Sequence, residues 1–399
     1  MIYAIVLSLL IIAAVLFDLL PSKQTNKING VVYRFFLLIF ICVSAFRWKV
    51  GGDTINYQDV FENELPPIFR LTDFYATSTK AWEPLFVGLM SISKTVVNKF
   101  WFFQLVHAVI VNVIFFSFIK RESKAKFIAL TIYFVFQYLY FNMEIMRESL
   151  AISVFLLSYT SFKKRKWTKY YLLVIIACFF HVSAVITLTM PFFRGIKMNR
   201  RAIILLFLFF LVTQAANTYL VDVLPALLSN DFLVERILTY SLMRFNIIGI
   251  LYNLTLFCLL PAIVLYTFRK QMLKQFDGMV FFYFVIAIFF LALNGFGRFI
   301  NYLTPFIIAC FSSYVYLMLK NKKDFLARSL IVLLVSVMPL YTKLSYYLTD
   351  TSHLVDGTRL YNLWVPYYSI FTKDEYEKRR ILYDRYMEEG LEKVIDQIK

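Results

Sequence analysis

Apolar runs long enough to cross a bilayer, broken mainly at their ends, constrain this chain more than any other feature. Met1 to Leu20, Ala202 to Leu220, Ile247 to Phe268 and Phe299 to Leu319 each approach or exceed the roughly 20 residues a helix needs to span a membrane. With 60% of its 399 positions hydrophobic, the chain carries more apolar surface than a water-soluble fold can hide. Spanning segments must satisfy their own backbone hydrogen bonds, so helices are expected throughout. The sequence therefore reads as an all-α, polytopic integral membrane helical bundle. It should hold about 11–13 hydrophobic helices once short or re-entrant segments are counted. The bundle is expected over residues 1–371, with a charged tail helix of mixed sign over 372–399.

Charge narrows the class further. The formal net charge of +17 would suit a nucleic-acid binder, but the basic residues lie in short loops between apolar runs, so no nucleic acid is expected. Cys42, Cys178, Cys258 and Cys310 all sit inside apolar runs and read as small packing residues, not as a disulfide framework. The first run lacks a basic leader and a small-residue cleavage site, which predicts a retained first span.

The basic clusters set an orientation. They are Lys23, Lys27 and Arg34; Lys120 to Lys126; Lys163 to Lys169; Arg194 to Arg201; Arg269 to Lys274; and Lys320 to Arg328. The positive-inside bias places them all in the cytoplasm and the amino terminus outside. Segments Arg47–Glu83, Asn142–Glu148, Val221–Asn246 and Asn294–Arg298, and the stretch after Tyr346, then face the exterior. Between Lys166 and Arg194 too few residues remain for two full spans. Short helices or a re-entrant hairpin breaking near His181 are expected there, and Pro84–Val97 reads as a further short or interfacial piece.

The unusual polar residues gather on that outer face. They are Arg47, Gly51, Gly52, Asp53, Thr54 and Tyr57 in FRWKVGGDTINYQDVF; Trp82, Glu83 and Pro84 in WEP; Asn142, Arg147 and Glu148 in FNMEIMRESLA; His181 in FHVSA; Arg298 and Tyr302 in GRFINYLTP; and Tyr367 and Tyr368 in PYYSIF. Each has a plain structural reading. Arg47 and Lys49 could snorkel, Gly51-Gly52-Asp53 could be a turn, Glu83 could start a helix, and Arg147 with Glu148 could form a local pair. His181 could be a packing residue, and Arg298 a turn charge. As a set they point elsewhere. Ionisable residues at membrane depth mark functional cavities, and the planar fork of arginine suits phosphate oxygens. Arginines converging on the outer leaflet suit the pyrophosphate headgroup of a lipid. No P-loop, dinucleotide fingerprint, DxD pair or metal-spaced His/carboxylate cluster is present, which predicts chemistry with no ATP, no nucleotide sugar and no cofactor.

In order, FRWKVGGDTINYQDVF, WEPLF, MRESLA, FHVSA, GRFINYLTPF and PYYSIF resemble the EpsG family, the Wzy-like polymerases of O-antigens, capsules and exopolysaccharides. The likeness runs from about residue 46 to 371. This chain carries Glu148 where the family often has Gln. The resemblance implies a GT-C-like glycosyltransferase in the bacterial inner membrane, working with a chain-length regulator and a flippase. It would move a growing glycan from undecaprenyl pyrophosphate to the non-reducing end of a lipid-linked repeat unit. In that reading Arg147, Arg298 and then Arg47 stabilise the leaving pyrophosphate. His181 is the first choice for the base on the acceptor hydroxyl, with Asp53 second and Glu148 or Glu83 third. Tyr57, Tyr302 and Asn142 complete the substrate-binding set. A secondary transporter or flippase, a ligase passing glycan to another lipid, and a sugar acyltransferase are the competing readings. A carrier would be expected to show inverted repeats and midplane charges, and neither is visible.

Overall fold

The computed structural model describes residues 2–77, 82–227, 247–267, 278–292, 297–320 and 325–348, with short pieces at 354–355, 358–359, 364–365 and 367–372. It is an all-α membrane bundle. Among the described residues, six helices are long and apolar enough to span: α1 (Ile2–Leu19), α2 (Lys23–Ala45), α6 (Phe100–Glu122), α12 (Ile247–Leu265), α14 (Gly297–Lys320) and α15 (Phe325–Leu348). Five shorter apolar helices join them: α5 (Pro84–Val96), α7 (Lys126–Tyr138), α9 (Trp167–Cys178), α10 (Val182–Phe193) and α13 (Met279–Ala292). The helices α8 (Met146–Lys163) and α11 (Arg200–Leu227) complete the bundle. Two further helices, α3 (Gly52–Asp59) and α4 (Leu71–Thr77), fold the first loop between α2 and α5 into a cap. Among the described residues the strand content is one two-residue ladder, Leu354–Val355 against Thr358–Arg359, and an isolated bridge between Arg47 and Ser369.

Local sequence explains the helix boundaries. Ser22 and Thr25 form a reciprocal capping box that starts α2. Pro84 occupies the first turn of α5, where its missing N–H costs nothing. The start of α7 is capped from another helix: the buried Asp18 carboxylate accepts from the amides of Phe127 and Ile128, both at 2.8 Å. That contact satisfies two orphan donors and sets an acid against the positive helix end.

Among the described residues, the basic loops after α6, α8 and α10 meet at one end of the bundle. Glu122, buried there, accepts from Lys163 and Arg121 at 2.7 Å each. Arg194 donates to the Lys163 carbonyl at 3.2 Å, and Ser123 meets Ser312 at 2.8 Å. The amino terminus lies at the opposite end, where Tyr3 packs edge-on against Tyr367. Residues Tyr367–Thr372 are pinned at that end by Trp48 N–H to the Tyr368 carbonyl and Ile370 N–H to the Phe46 carbonyl, both 2.9 Å.

The expected break near His181 is present. After α9 the chain turns at Phe179 and Phe180 and returns as α10, which opens with a 3₁₀ stretch over Val182–Thr189. Helix α5 is likewise a short piece, packed on the first-loop cap through Ser91 to the Pro66 carbonyl at 2.7 Å and Lys94 to the Phe61 carbonyl at 2.6 Å. Helix α11 runs past the apolar Ala202–Leu220 stretch to Leu227, into the start of the segment read as facing the exterior. Residues 228–246, the Arg269–Lys274 cluster and the tail over 373–399 lie outside the described residues.

Candidate active site

Arg47, Gly51 and Thr54 place the first-loop helix. Arg47 is fully buried. Its guanidinium donates to the carbonyls of Ser44 and Val50, to the Thr54 hydroxyl at 3.1 Å and toward the Met146 sulfur at 3.3 Å. The Thr54 hydroxyl in turn donates to the Met143 carbonyl. Gly51 sits at φ +95, and a side chain there would collide with that same carbonyl. Only glycine adopts this backbone freely while allowing so close an approach. The start of α3 is thereby locked onto the joint between a π-helical segment, Tyr140–Glu144, and α8. Such π segments are rare and cluster at functional sites.

This docking presents Asp53 and Tyr57, one turn apart on α3, to Arg147 at the start of α8. Arg147 Nε donates to the Tyr57 hydroxyl at 3.3 Å, and that hydroxyl donates to Asp53 Oδ2 at 3.4 Å. Arg147 Nη1 pairs with Glu83 Oε2 at 2.9 Å. The guanidinium also lies 5.6 Å from the Trp82 ring centroid and 5.9 Å from that of Tyr57, within cation–π range. Glu83 braces a second element as well, because its Oε1 accepts from the Val182 amide at 3.1 Å. Burial raises the Asp53 carboxyl above its ordinary range, while the guanidiniums of Arg147 and Arg298 and the Tyr57 hydroxyl pull it back.

The third wall comes from α10 and α14. His181 caps the 3₁₀ stretch: its Nδ1 accepts from the Ser183 amide at 3.3 Å and lies 2.6 Å from the Ser183 hydroxyl. An Nδ1 that accepts a backbone N–H leaves the ring proton on Nε2, an assignment read from the hydrogen-bond network. The Ser183 hydroxyl reaches Tyr302 at 2.9 Å. On α14, Arg298, Asn301 and Tyr302 have the i, i+3, i+4 spacing of one helix face. Asn301 donates to the buried Glu148 at 2.9 Å. Arg298 is exposed, and it acts electrostatically on both Asp53 and Glu148, as Arg147 does.

Asp53, Tyr57, Glu83, Arg147, Glu148, His181, Arg298 and Tyr302 therefore converge from five elements. Two expected site residues stand apart. The donors of Arg47 go to its own chain and α8, as above. Asn142 is fully buried, donating to Tyr133 at 3.1 Å and to the Tyr138 carbonyl at 3.0 Å while accepting from Asn112 at 2.7 Å. Both sites hold helices together. The Trp82 ring, noted in the sequence, belongs to the cluster, and so do two residues not singled out there, Ser183 and Asn301. The helical spacing from Arg298 would have found Asn301. His107, fully buried on α6, contacts the Met146 carbonyl at 3.1 Å and Ser149 at 3.0 Å behind Arg147, and no local motif marks it. Among the described residues no group of three or more His, Cys, Asp or Glu is arranged to hold a metal ion.

A model of the EpsG family matches residues 30–378, a range that takes in every residue of this cluster. The chain belongs to the EpsG family. EpsG proteins are Wzy-like exopolysaccharide polymerases, which makes polysaccharide biosynthesis in a membrane the general role of this chain. No curated protein and no solved structure matches it.

Proposed function

We propose that this EpsG protein lengthens a polysaccharide by moving a growing glycan from undecaprenyl pyrophosphate to the non-reducing end of a lipid-linked repeat unit. The reaction takes place at the outer face of the bacterial cytoplasmic membrane. One observation carries the reading: Arg147 and Arg298, 151 residues apart in sequence, act electrostatically on the same two carboxylates, Asp53 and Glu148. The gathering of the basic loops at the far end of the bundle supports the orientation.

In the proposed step the acceptor hydroxyl oxygen bonds to the anomeric carbon of the donor glycan. The bond from that carbon to the pyrophosphate oxygen breaks, and the lipid pyrophosphate leaves with the electron pair. Arg147 and Arg298 hold the charge that develops on it, a contribution of about 10²–10³ in rate per well-placed donor. The hydroxyl proton passes to Asp53. This carboxylate is half-buried and shifted toward neutrality, whereas Glu148 is buried and already engaged by Asn301. We assign His181 the part of a hydrogen-bond donor through Nε2, because Nδ1 is committed to Ser183. Trp82 and Tyr57 supply aromatic faces on which sugar rings stack. Arg47 and Asn142 act as scaffolding.

Purified protein in vesicles, given a synthetic undecaprenyl-pyrophosphate-linked repeat unit and no nucleotide, is expected to produce a ladder of lipid-linked chains. Glycan movement across the bilayer without lengthening would instead identify a carrier.

A further inference from the structure

A cavity of about 350 Å³ lies beside the charged cluster, between α12, α14 and α15, with α7 and α13 behind it. It shares a wall with the site, since Asn301, which holds Glu148, and Gly297, next to Arg298, both line it. Toward the basic end its lining is apolar, from Val264, Met279, Phe311 and Val335. Most of its hydrogen-bonding side chains lie toward the site, namely Gln137, Asn301, Thr304, Thr342 and Lys343, while Tyr283, nearer the basic end, spends its hydroxyl on the Phe257 carbonyl. Gln137 is over nine-tenths buried, and its Oε1 has no hydrogen-bond partner among the described residues.

Both α12 and α15 pack on α14, yet Leu251, Leu259 and Ile263 on one and Leu330, Leu333 and Leu334 on the other are exposed, as expected of faces toward lipid. The two are joined near the site by Tyr252 to Thr342, and at the basic end by a cluster of Val264, Tyr314, Met318 and Val335. Proline and π-helical irregularities shape the walls between these clasps. Thr255–Leu259 is π-helical, and Pro261 cannot donate back to the Phe257 carbonyl, which takes the Tyr283 hydroxyl at 2.8 Å instead. Irregular backbone at membrane depth survives where it lines a cavity.

We propose that this cleft receives the isoprenoid chain of the lipid-linked substrate, with its polar end set beside the diphosphate held by Arg147 and Arg298. The assignment rests on the polymerase reading above. An apolar slot that ends beside the arginine-bearing cluster matches an amphiphile whose charged group is at one end. The chain is remote from the reacting bond, so its contacts position the headgroup, and a shortened chain loses rate as well as affinity.

The test uses wild-type protein first. A diazirine-bearing undecaprenyl pyrophosphate is expected to label residues between Leu256 and Val264 and between Thr304 and Phe311, and excess undecaprenyl pyrophosphate should suppress that labelling. Labelling that phosphatidylglycerol suppresses equally well, or that falls only on the exposed faces of α12 and α15, overturns the proposal. Leu260→Trp and Val335→Trp, which fill the cleft, supply the second readout. Each should slow elongation on an undecaprenyl carrier by about tenfold or more, yet stay within about twofold of wild type on a geranyl carrier. Equal effects on both carriers, or none on either, contradict the proposal. Wild type that elongates neither carrier while labelling the cleft would sink the polymerase reading and leave the cleft standing.

Discussion

Arg47 and Arg147 show how burial assigns one side chain to two uses. Arg47 has no exposed surface and gives its donors to carbonyls, a hydroxyl and a thioether of its own fold. Arg147 keeps 22% of its side chain accessible, shares its charge with Glu83, and can turn toward a ligand. Asp53 has a comparable double character. Burial favours its neutral form, so its folded-state pKa lies above the unfolded one. The stability this provides is fully present below the unfolded pKa and is lost as pH rises through the folded value. Asp53→Asn should therefore melt higher than wild type at neutral pH in detergent, with the gap closing below about pH 4. The same variant should lose most elongation activity, by about 10²-fold or more if Asp53 takes the proton. A lower melting temperature for Asp53→Asn across the whole pH range would contradict this account. His181 is tested by substitution. Glutamine can place an N–H near the Nε2 position, so His181→Gln should keep activity within about tenfold of wild type while His181→Ala falls by about 10²-fold. Equal losses would return His181 to the role of base.

Among the elements, α3 has the least support from its own sequence and the most from its docking. It is short and polar, and its place depends on Gly51, Thr54 and Arg47 meeting the Met143–Met146 joint. Gly51→Ala should cost about 1–3 kcal/mol through the positive φ alone, with more from the clash. The measurable outcome is a lower melting temperature and weakened activity, because Asp53 and Tyr57 move with the helix. A Gly51→Ala protein with wild-type melting and rate would show that α3 is placed by something else. The elements divide by how far the sequence disclosed them. Apolar run lengths revealed the spans, and the shortage of residues between Lys166 and Arg194 revealed the break at His181. The π-helical stretches left no trace, because a single inserted residue barely alters hydrophobic periodicity. The roles of Arg47 and Asn142 were hidden for a related reason: their partners, Met146 and Asn112, are distant in sequence and carry no motif.

At the scale of the whole molecule, the bundle separates its chemistry by depth. One end holds the basic loops, knitted by Glu122, Lys163 and Arg194. The other holds the acids, arginines and aromatic rings, with an apolar cleft running from beside them toward the basic end. Charge patterning disclosed this polarity, since the basic clusters fall between the apolar runs and the unusual polar motifs fall at their other ends. It did not disclose the cleft, which exists only because α12 and α15 lean on α14. The central claim is that Arg147 and Arg298 jointly hold a lipid pyrophosphate as it leaves. The most direct measurement is the elongation rate of Arg147→Ala and Arg298→Ala on a pure lipid-linked repeat unit, at matched protein level and melting temperature. Each variant should lose about 10²–10³ in rate, and the double variant should lose little more than the worse single one, as groups acting as a unit do. Full-length ladders from either single variant at the wild-type rate would contradict the account.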